Sequence, residues 1–117
     1  MIETFYDEIK NIVTVVYEGN VNAVEEKQLY LKLQDLLPKC RRGFRLLVDL
    51  SPVNRVEEEA VPVIKMIMDL LNQHGLSEVI RIIPEPDKDI GFNILSIFHY
   101  GKNVKVLTCQ TPEEVHW

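Results

Sequence analysis

The spacing of hydrophobic and polar residues changes several times along the chain, and each change predicts a new element. Residues 2–6 and 12–19 are rich in β-branched and aromatic side chains and flank a polar stretch, so they predict an N-terminal β-hairpin. After Gly19, apolar residues recur every three or four positions, which predicts an amphipathic helix over residues 22–37. Asn22 followed by Glu25 is typical of a helix start, and Pro38 stops the helix.

The second half of the chain alternates short apolar runs with helical patterns. Residues 44–50 lack strict alternation and predict a central strand that is covered on both faces. The next helix is predicted to begin near residues 57–59 and to run to about His74, because Pro62 must lie in or beside its first turn and Gly75 can end it. The remaining predicted elements are a strand at 78–83, a helix at 87–100, a strand at 104–108 and a short helix at 111–117.

This order of elements, β-β-α-β-α-β-α-β-α, predicts an α/β fold. Helices that alternate with short apolar strands favour parallel pairing through right-handed crossovers, here after an antiparallel hairpin. The expected architecture is a mixed sheet flanked by about four helices. The 117 residues are 46% hydrophobic, which suits one core, so a single domain over residues 1–117 is expected.

Charge and composition narrow the classes of function. The chain has 18 acidic and 13 basic residues, and a net charge of -5 opposes binding to nucleic acid. The basic residues Lys39, Arg41 and Arg42 are interpreted as a solvated turn, with a phosphate or lipid-headgroup contact as the weaker alternative. No apolar run approaches the ~20 residues of a membrane span, and the N-terminus lacks a signal-peptide pattern. A cytoplasmic protein is expected.

Residues that are suited to catalysis or metal binding are isolated in the sequence. His74, His99 and His116 lack the i,i+4 or HExxH spacing of a zinc site. Cys40 and Cys109 have no CxxC spacing, and the sequence shows neither the neighbouring base nor the electropositive pocket that a nucleophilic cysteine needs. Cys109, between a predicted strand and helix, is the one worth testing. Glycine-rich phosphate loops and a GxSxG motif are also missing. We therefore expect no enzymatic activity, no cofactor and no metal.

The stretch LLVDLSPVNRVEEEAVPVI, residues 46–64, resembles the signature region of STAS domains, the family of anti-sigma-factor antagonists. In that family an apolar strand ends in Asp-Leu-Ser, which Asp49, Leu50 and Ser51 match. The closing segment VKVLTCQTPEEV is similar to the family's last strand and short acidic helix. The resemblance covers nearly the whole chain and implies a STAS-like fold with a protein partner, such as an anti-sigma factor or a kinase-like regulator.

The chain departs from the family at the serine that members use as a phosphorylation switch. The family opens its next helix with Asp-Ser-Ser-Gly, where this chain has Glu57, Glu58, Glu59 and Ala60, so the switch serine corresponds to Glu59. Glu59 would give that place a permanent negative charge that a kinase cannot change. Either the chain is locked in a phospho-like state or, as we favour, it uses the same surface for another partner.

The resemblance implies a partner-binding surface at the loop and helix start of residues 51–64. Its candidate residues are Asp49, Ser51, Asn54, Glu57, Glu58 and Glu59. A plainer interpretation is that the glutamates only favour a helix start, and that Ser51 stabilises a turn before Pro52 and is not a phosphoacceptor. The alternative function is a small carrier or sensor of an apolar, lipid-like ligand. A homodimer through the predicted helix 87–100 is a further hypothesis.

Overall fold

The fold is described by a computed structural model for residues 1–84 and 103–117. Its five-stranded sheet has the order β1 (Ile2–Asp7), β2 (Ile12–Tyr17), β4 (Arg45–Asp49), β6 (Glu78–Ile82) and β7 (Lys105–Cys109). A two-stranded sheet joins β3 (Gly19–Val21) to β5 (Val53–Val56). The helices are α1 (Ala23–Leu36) and α2 (Val61–Gln73). β1 and β2 are antiparallel, and the neighbouring pairs from β2 to β7 are parallel.

The core lies between one face of the large sheet and the two helices. Strands β2, β4 and β6 send alternate side chains into it, which is the period-2 pattern of a strand. The helices cover these side chains with residues spaced three or four apart, such as Leu29 and Leu33 of α1. The core cluster includes Val13, Val15, Leu46, Val48, Val79, Leu29, Leu33, Ile64, Ile67 and Leu71. The predicted central position of the strand at 44–50 is confirmed, because β4 is third of the five strands.

The N-terminal hairpin is also confirmed, and side chains fasten its tip to the segment before β4. Asn11 turns the chain with a positive φ of 58°, and its Oδ1 accepts hydrogen bonds from the Tyr6 hydroxyl at 2.8 Å and from the Arg41 amide at 3.2 Å. The Asn11 side-chain amide donates to the Arg41 carbonyl at 3.0 Å. The Arg41 guanidinium in turn donates to the carbonyls of Glu8 and Ile9. Arg41 therefore joins two loops.

Helix α1 has the start that the capping pattern predicts. The Asn22 side chain accepts a hydrogen bond from the Glu25 amide at 3.0 Å, which satisfies one of the unpaired amides of the first turn. A 3₁₀ turn with Pro38, Leu37–Lys39, follows the helix directly. Proline lacks the amide hydrogen that another α-helical turn would need at this point.

Helix α2 begins slightly later than predicted. A 3₁₀ turn, Glu58–Ala60, comes first, and Pro62 lies in the first turn of the α-helix. At the other end, Gly75 takes the left-handed conformation, with φ 89°, that the sequence predicted for a helix terminator. The Arg42 guanidinium donates to the Gln73 carbonyl at 3.3 Å, so Arg42, like Arg41, binds backbone carbonyls.

Two strands were missed or merged in the sequence prediction. The predicted strand 12–19 is wrong at its end, because Gly19 has φ 67° and the chain turns there into the separate strand β3. Strand β5 was predicted as loop. Its four residues show no alternation, since Val53 and Val56 are buried while Asn54 and Arg55 are exposed, and it is held by parallel pairing to β3.

The prediction of about four helices is also corrected. The described residues contain two α-helices, and the predicted helix 111–117 is only a 3₁₀ turn at Pro112–Glu114. A segment of this length gains too few hydrogen bonds to offset the cost of helix nucleation. The predicted helix 87–100 lies outside the described residues. Within the described ranges, neither helix has both the length and the apolar character needed to cross a bilayer.

Candidate functional site

The candidate residues follow the carboxyl end of β4, in the connection to α2. Asp49 is the last residue of the strand, and the Leu50 amide continues the sheet by donating to the Ile82 carbonyl at 3.0 Å. The Val53 amide then donates to the Leu50 carbonyl at 3.2 Å and closes a tight turn. In α/β sheets, binding sites lie beyond the carboxyl ends of parallel strands, which is where this connection lies.

Asp49 and Ser51 form a local hydrogen-bonded turn. Oδ1 of Asp49 accepts from the Ser51 amide at 2.9 Å and from the Ser51 hydroxyl at 2.5 Å. A carboxylate that binds the backbone two residues later mimics a backbone turn and stabilises it. Ser51 is exposed, so its hydroxyl has the turn-stabilising contact that the sequence favoured and also faces solvent.

Strand β5 holds the next part of the connection against β3. The Asn54 side-chain amide donates to Oδ1 of Asn20 at 2.9 Å, and both side chains are exposed. The Glu57 amide donates to the Val21 carbonyl at 2.8 Å. Val21 directly precedes Asn22, the N-cap of α1, so the chain entering the glutamates is fastened beside the start of α1.

The three glutamates lie in a short segment that we call the acidic turn, residues 57–60. The Ala60 amide donates to the Glu57 carbonyl at 3.0 Å, and Ala60 itself is fully buried. Glu58 and Glu59 are exposed, Glu57 is half-buried, and none of their side chains caps the turn or α2. The acidic turn therefore presents two solvent-facing carboxylates from a backbone that is anchored on both sides.

The candidate residues fall into two groups of contacts. Asp49 and Ser51 bind each other, whereas Asn54 and the Glu57 backbone bind strand β3. The connection from β4 to α2 carries both groups, with buried Val53 and Val56 between them. The structure thus arranges the candidates along one anchored connection.

Sequence reasoning missed one residue that the structure makes conspicuous, Glu26 in α1. Its side chain is 0% exposed, and neither carboxylate oxygen has a hydrogen bond of acceptable geometry to the described residues. Burial raises the pKa of Glu26 to about 7, and the negative charge of Glu25 adds to this, while the nearby Tyr17 side chain lowers it somewhat. The helical spacing of Glu26, Leu29 and Leu33, at i, i+3 and i+7, is the sequence feature that could have indicated that Glu26 lies on the buried face.

The remaining reactive side chains occupy scattered positions. Among residues 1–84 and 103–117, no three His, Cys, Asp or Glu side chains are grouped so as to hold a metal ion. Cys40 is half-buried, and burial raises the pKa of its thiol. Cys109 lies at the end of β7 and points its sulfur toward the Glu114 carbonyl at 3.8 Å. His99 lies outside the described residues.

Comparison with solved structures finds a protein with a similar fold. No protein-family model and no curated protein matches the sequence. Among solved structures, the chain is similar to the anti-sigma factor antagonist SpoIIAA in its unphosphorylated form, with a TM-score of 0.65 and 13% sequence identity over 97% of this chain and 92% of that one. The predicted STAS-like mixed sheet with its antiparallel hairpin is confirmed by this match. The chain therefore has the fold of the anti-sigma factor antagonist SpoIIAA.

Proposed function

We propose that the chain is a non-catalytic regulatory module that binds a protein partner through the connection from Ser51 to the first turn of α2. The observation that carries this proposal is that the acidic turn presents Glu58 and Glu59 to solvent. The likeness of the fold to an anti-sigma factor antagonist supports it. Fixed charges on a rigid exposed segment favour recognition of a complementary surface.

The chemistry of the turn indicates the kind of partner surface. Glu58 and Glu59 would pair with Lys or Arg side chains at the rim of an interface, where each charge mainly affects the rate of association and its salt dependence. An anti-sigma factor or a related kinase-like regulator that carries a basic patch is the partner that we propose. Because glutamate has no hydroxyl group that a kinase could phosphorylate, binding would not be switched by phosphorylation at position 59.

The carrier hypothesis gains no support from the space between the sheet and helices. The gap lined by Val15, Tyr17, Leu46 and Met68, among others, measures about 20 Å³. That is room for about one water molecule, far less than a lipid-like ligand needs. Among the described residues, the space between the sheet and the two helices therefore gives no reason to propose a carrier as a second function.

The proposal is tested by capturing partners from host-cell lysate on the immobilised protein and comparing the wild type with Glu59→Ala and Glu59→Ser. Mass spectrometry should identify one protein that is captured by the wild type and titrates with purified bait. Glu59→Ala should weaken binding of that protein about 2- to 5-fold, the usual effect of one rim charge, and salt should weaken the wild-type complex.

Glu3→Ala is the matched control. Glu3 is an exposed glutamate on the edge strand β1, so this variant changes the net charge equally but leaves the proposed surface intact. If Glu3→Ala and Glu59→Ala have the same effect, only net charge matters and the proposed surface is wrong. If neither Glu59 variant changes binding, the assignment fails outright.

A further inference from the structure

We propose that Glu26 is a proton-responsive element of the core, neutral in the folded protein under mildly acidic conditions, whose ionisation loosens the packing of α1 against the acidic turn. The effect on folding stands independently. The consequence for partner binding rests on the proposed function.

The position of Glu26 is that of a core residue. It precedes Leu29 and Leu33 on the inward face of α1, and all three are buried. A carboxylate in such a place loses its hydration, and neither oxygen of Glu26 regains a well-formed hydrogen bond from the described residues. The neutral acid avoids most of this penalty because only the ionised form carries a charge to be desolvated.

The surrounding charges do not compensate an ionised Glu26. The negative charge of Glu25 raises the pKa of Glu26 further. Glu25 is itself paired with the Met1 ammonium at 2.6 Å. The Tyr17 side chain, on β2, lowers the pKa of Glu26 through its hydrogen-bonding hydroxyl, but Tyr17 is uncharged. Among the described residues, the elements packed against α1 carry one half-buried charged residue, Glu57 of the acidic turn. Their other charged residues are exposed: Glu3 and Asp7 of β1, Lys39 after α1, Glu58 and Glu59 of the acidic turn, and Lys65 and Asp69 of α2.

The sign of the pH effect follows from the folded and unfolded states. The pKa of Glu26 is about 7 in the folded protein, against an ordinary value of 4.5. Between these values the folded state holds a proton that the unfolded state has released, so raising the pH favours unfolding. The unfolding equilibrium constant should rise about tenfold per pH unit over this window, up to about 300-fold in all, and level off above pH 7.

Ionisation of Glu26 should change the packing of α1 against the acidic turn. Helix α1 contacts the 3₁₀ turn that contains fully buried Ala60, and the Glu57 amide is bonded to the residue before the N-cap of α1. An ionised Glu26 gains hydration only if α1 moves away from its neighbours. The acidic turn packs against α1 and its Glu57 amide is hydrogen-bonded to Val21, just before the start of α1, so its backbone should respond to the same titration.

The first experiment is urea unfolding of the wild type and Glu26→Gln from pH 5 to pH 8.5. Glutamine keeps the size of the side chain and cannot ionise, so the fall in stability between pH 5 and pH 7 should be present in the wild type and lost in Glu26→Gln. The matched control is Glu18→Gln, which removes an exposed carboxyl and should keep the wild-type profile. Identical pH profiles for the wild type and Glu26→Gln would overturn the proposal.

A second measurement protects the test if Glu26→Gln folds poorly. Carbon-13 NMR of the wild-type carboxyl groups should show Glu26 titrating with a midpoint near pH 7, and amide shifts of residues 57–61 should follow the same midpoint. A Glu26 midpoint near 4.5 would refute the proposal for folding. A midpoint near 7 with pH-independent amide shifts would refute the coupling to the acidic turn.

Partner binding separates this inference from the proposed function. Both the proposed function and the regulatory role of Glu26 stand if Glu59→Ala weakens binding and if the affinity changes through pH 7 in the wild type but not in Glu26→Gln. If Glu59→Ala has no effect, the proposed surface is wrong, and the stability and NMR results still decide the role of Glu26. If binding depends on Glu59 but Glu26→Gln leaves its pH dependence unchanged, the regulatory part of the inference is wrong.

Discussion

Replacing Gly75 by alanine should destabilise the protein, and the structure allows two causes to be separated. Gly75 has φ 89°, a conformation that costs a residue with a Cβ atom. An added Cβ would also lie 3.1 Å from Cζ and Nε of Arg42. That distance is too short for ordinary packing, so the Arg42 guanidinium would shift and its 3.3 Å hydrogen bond to the Gln73 carbonyl would weaken.

The two causes have different magnitudes. Left-handed backbone costs a non-glycine residue about 1–2 kcal/mol, and the stiffer unfolded chain of the alanine variant offsets about 0.4–1 kcal/mol of this. The net conformational cost is therefore about 0.5–1 kcal/mol. Losing the Arg42 hydrogen bond adds about 0.5–1.5 kcal/mol. We expect Gly75→Ala to lower the free energy of unfolding by about 1–2.5 kcal/mol in total.

Gly43→Ala provides the matched control. Gly43 has φ 87°, almost the same as Gly75, but nothing lies within 4 Å of the position of its Cβ. Urea unfolding at constant pH should therefore show a loss of only about 0.5–1 kcal/mol for Gly43→Ala. In an Arg42→Ala background, Gly75→Ala should cost less than it does in the wild type, although the Cβ atom of residue 42, 3.2 Å from the added Cβ, remains. The reasoning is refuted if the two glycine variants are equally stable when Arg42 is present.

Two further predictions follow from local contacts. Asn22→Ala should lower the free energy of unfolding by about 1 kcal/mol, because the Glu25 amide loses its side-chain acceptor. Asn22→Asp keeps an acceptor and should retain stability. Urea unfolding measures both variants, and equal losses would contradict the capping role. Burial raises the pKa of the Cys40 thiol, so iodoacetamide at pH 8 should alkylate Cys40 more slowly in the folded protein than in urea. Mass spectrometry of the Cys40 peptide measures both rates, and equal rates would contradict the buried environment.

Local chemistry determined most of the fold that could be predicted from the sequence. Asn22 and Gly75 each satisfy a backbone requirement within a few residues, so their effect is visible without knowing the rest of the structure. Strand β5 is different, because its partner β3 lies more than 30 residues earlier and its own four residues have no strand-like alternation. Pairing over that separation is decided by the tertiary structure.

The resemblance of residues 46–64 points to the connection between β4 and α2 as the candidate site, and that assignment stays a prediction. The sequence favoured a turn-stabilising role for Ser51 but did not identify its partner, Asp49. The sequence did not single out Glu26, because charged residues are rarely buried without a partner. Its burial depends on how α1 rotates against the sheet, which hydrophobic spacing defines only approximately.

The fastening of the hairpin tip by Asn11 and Arg41 has a mechanical consequence. A force pulling on the N-terminus would peel β1 from β2 one residue pair at a time, starting at Ile2 opposite Tyr17. At the tip, the Asn11 side chain binds the Arg41 backbone, and the Arg41 guanidinium donates to the Glu8 and Ile9 carbonyls, so several bonds must break together. The first six residues of the hairpin should thus yield gradually, and the rest of the molecule should resist as one unit.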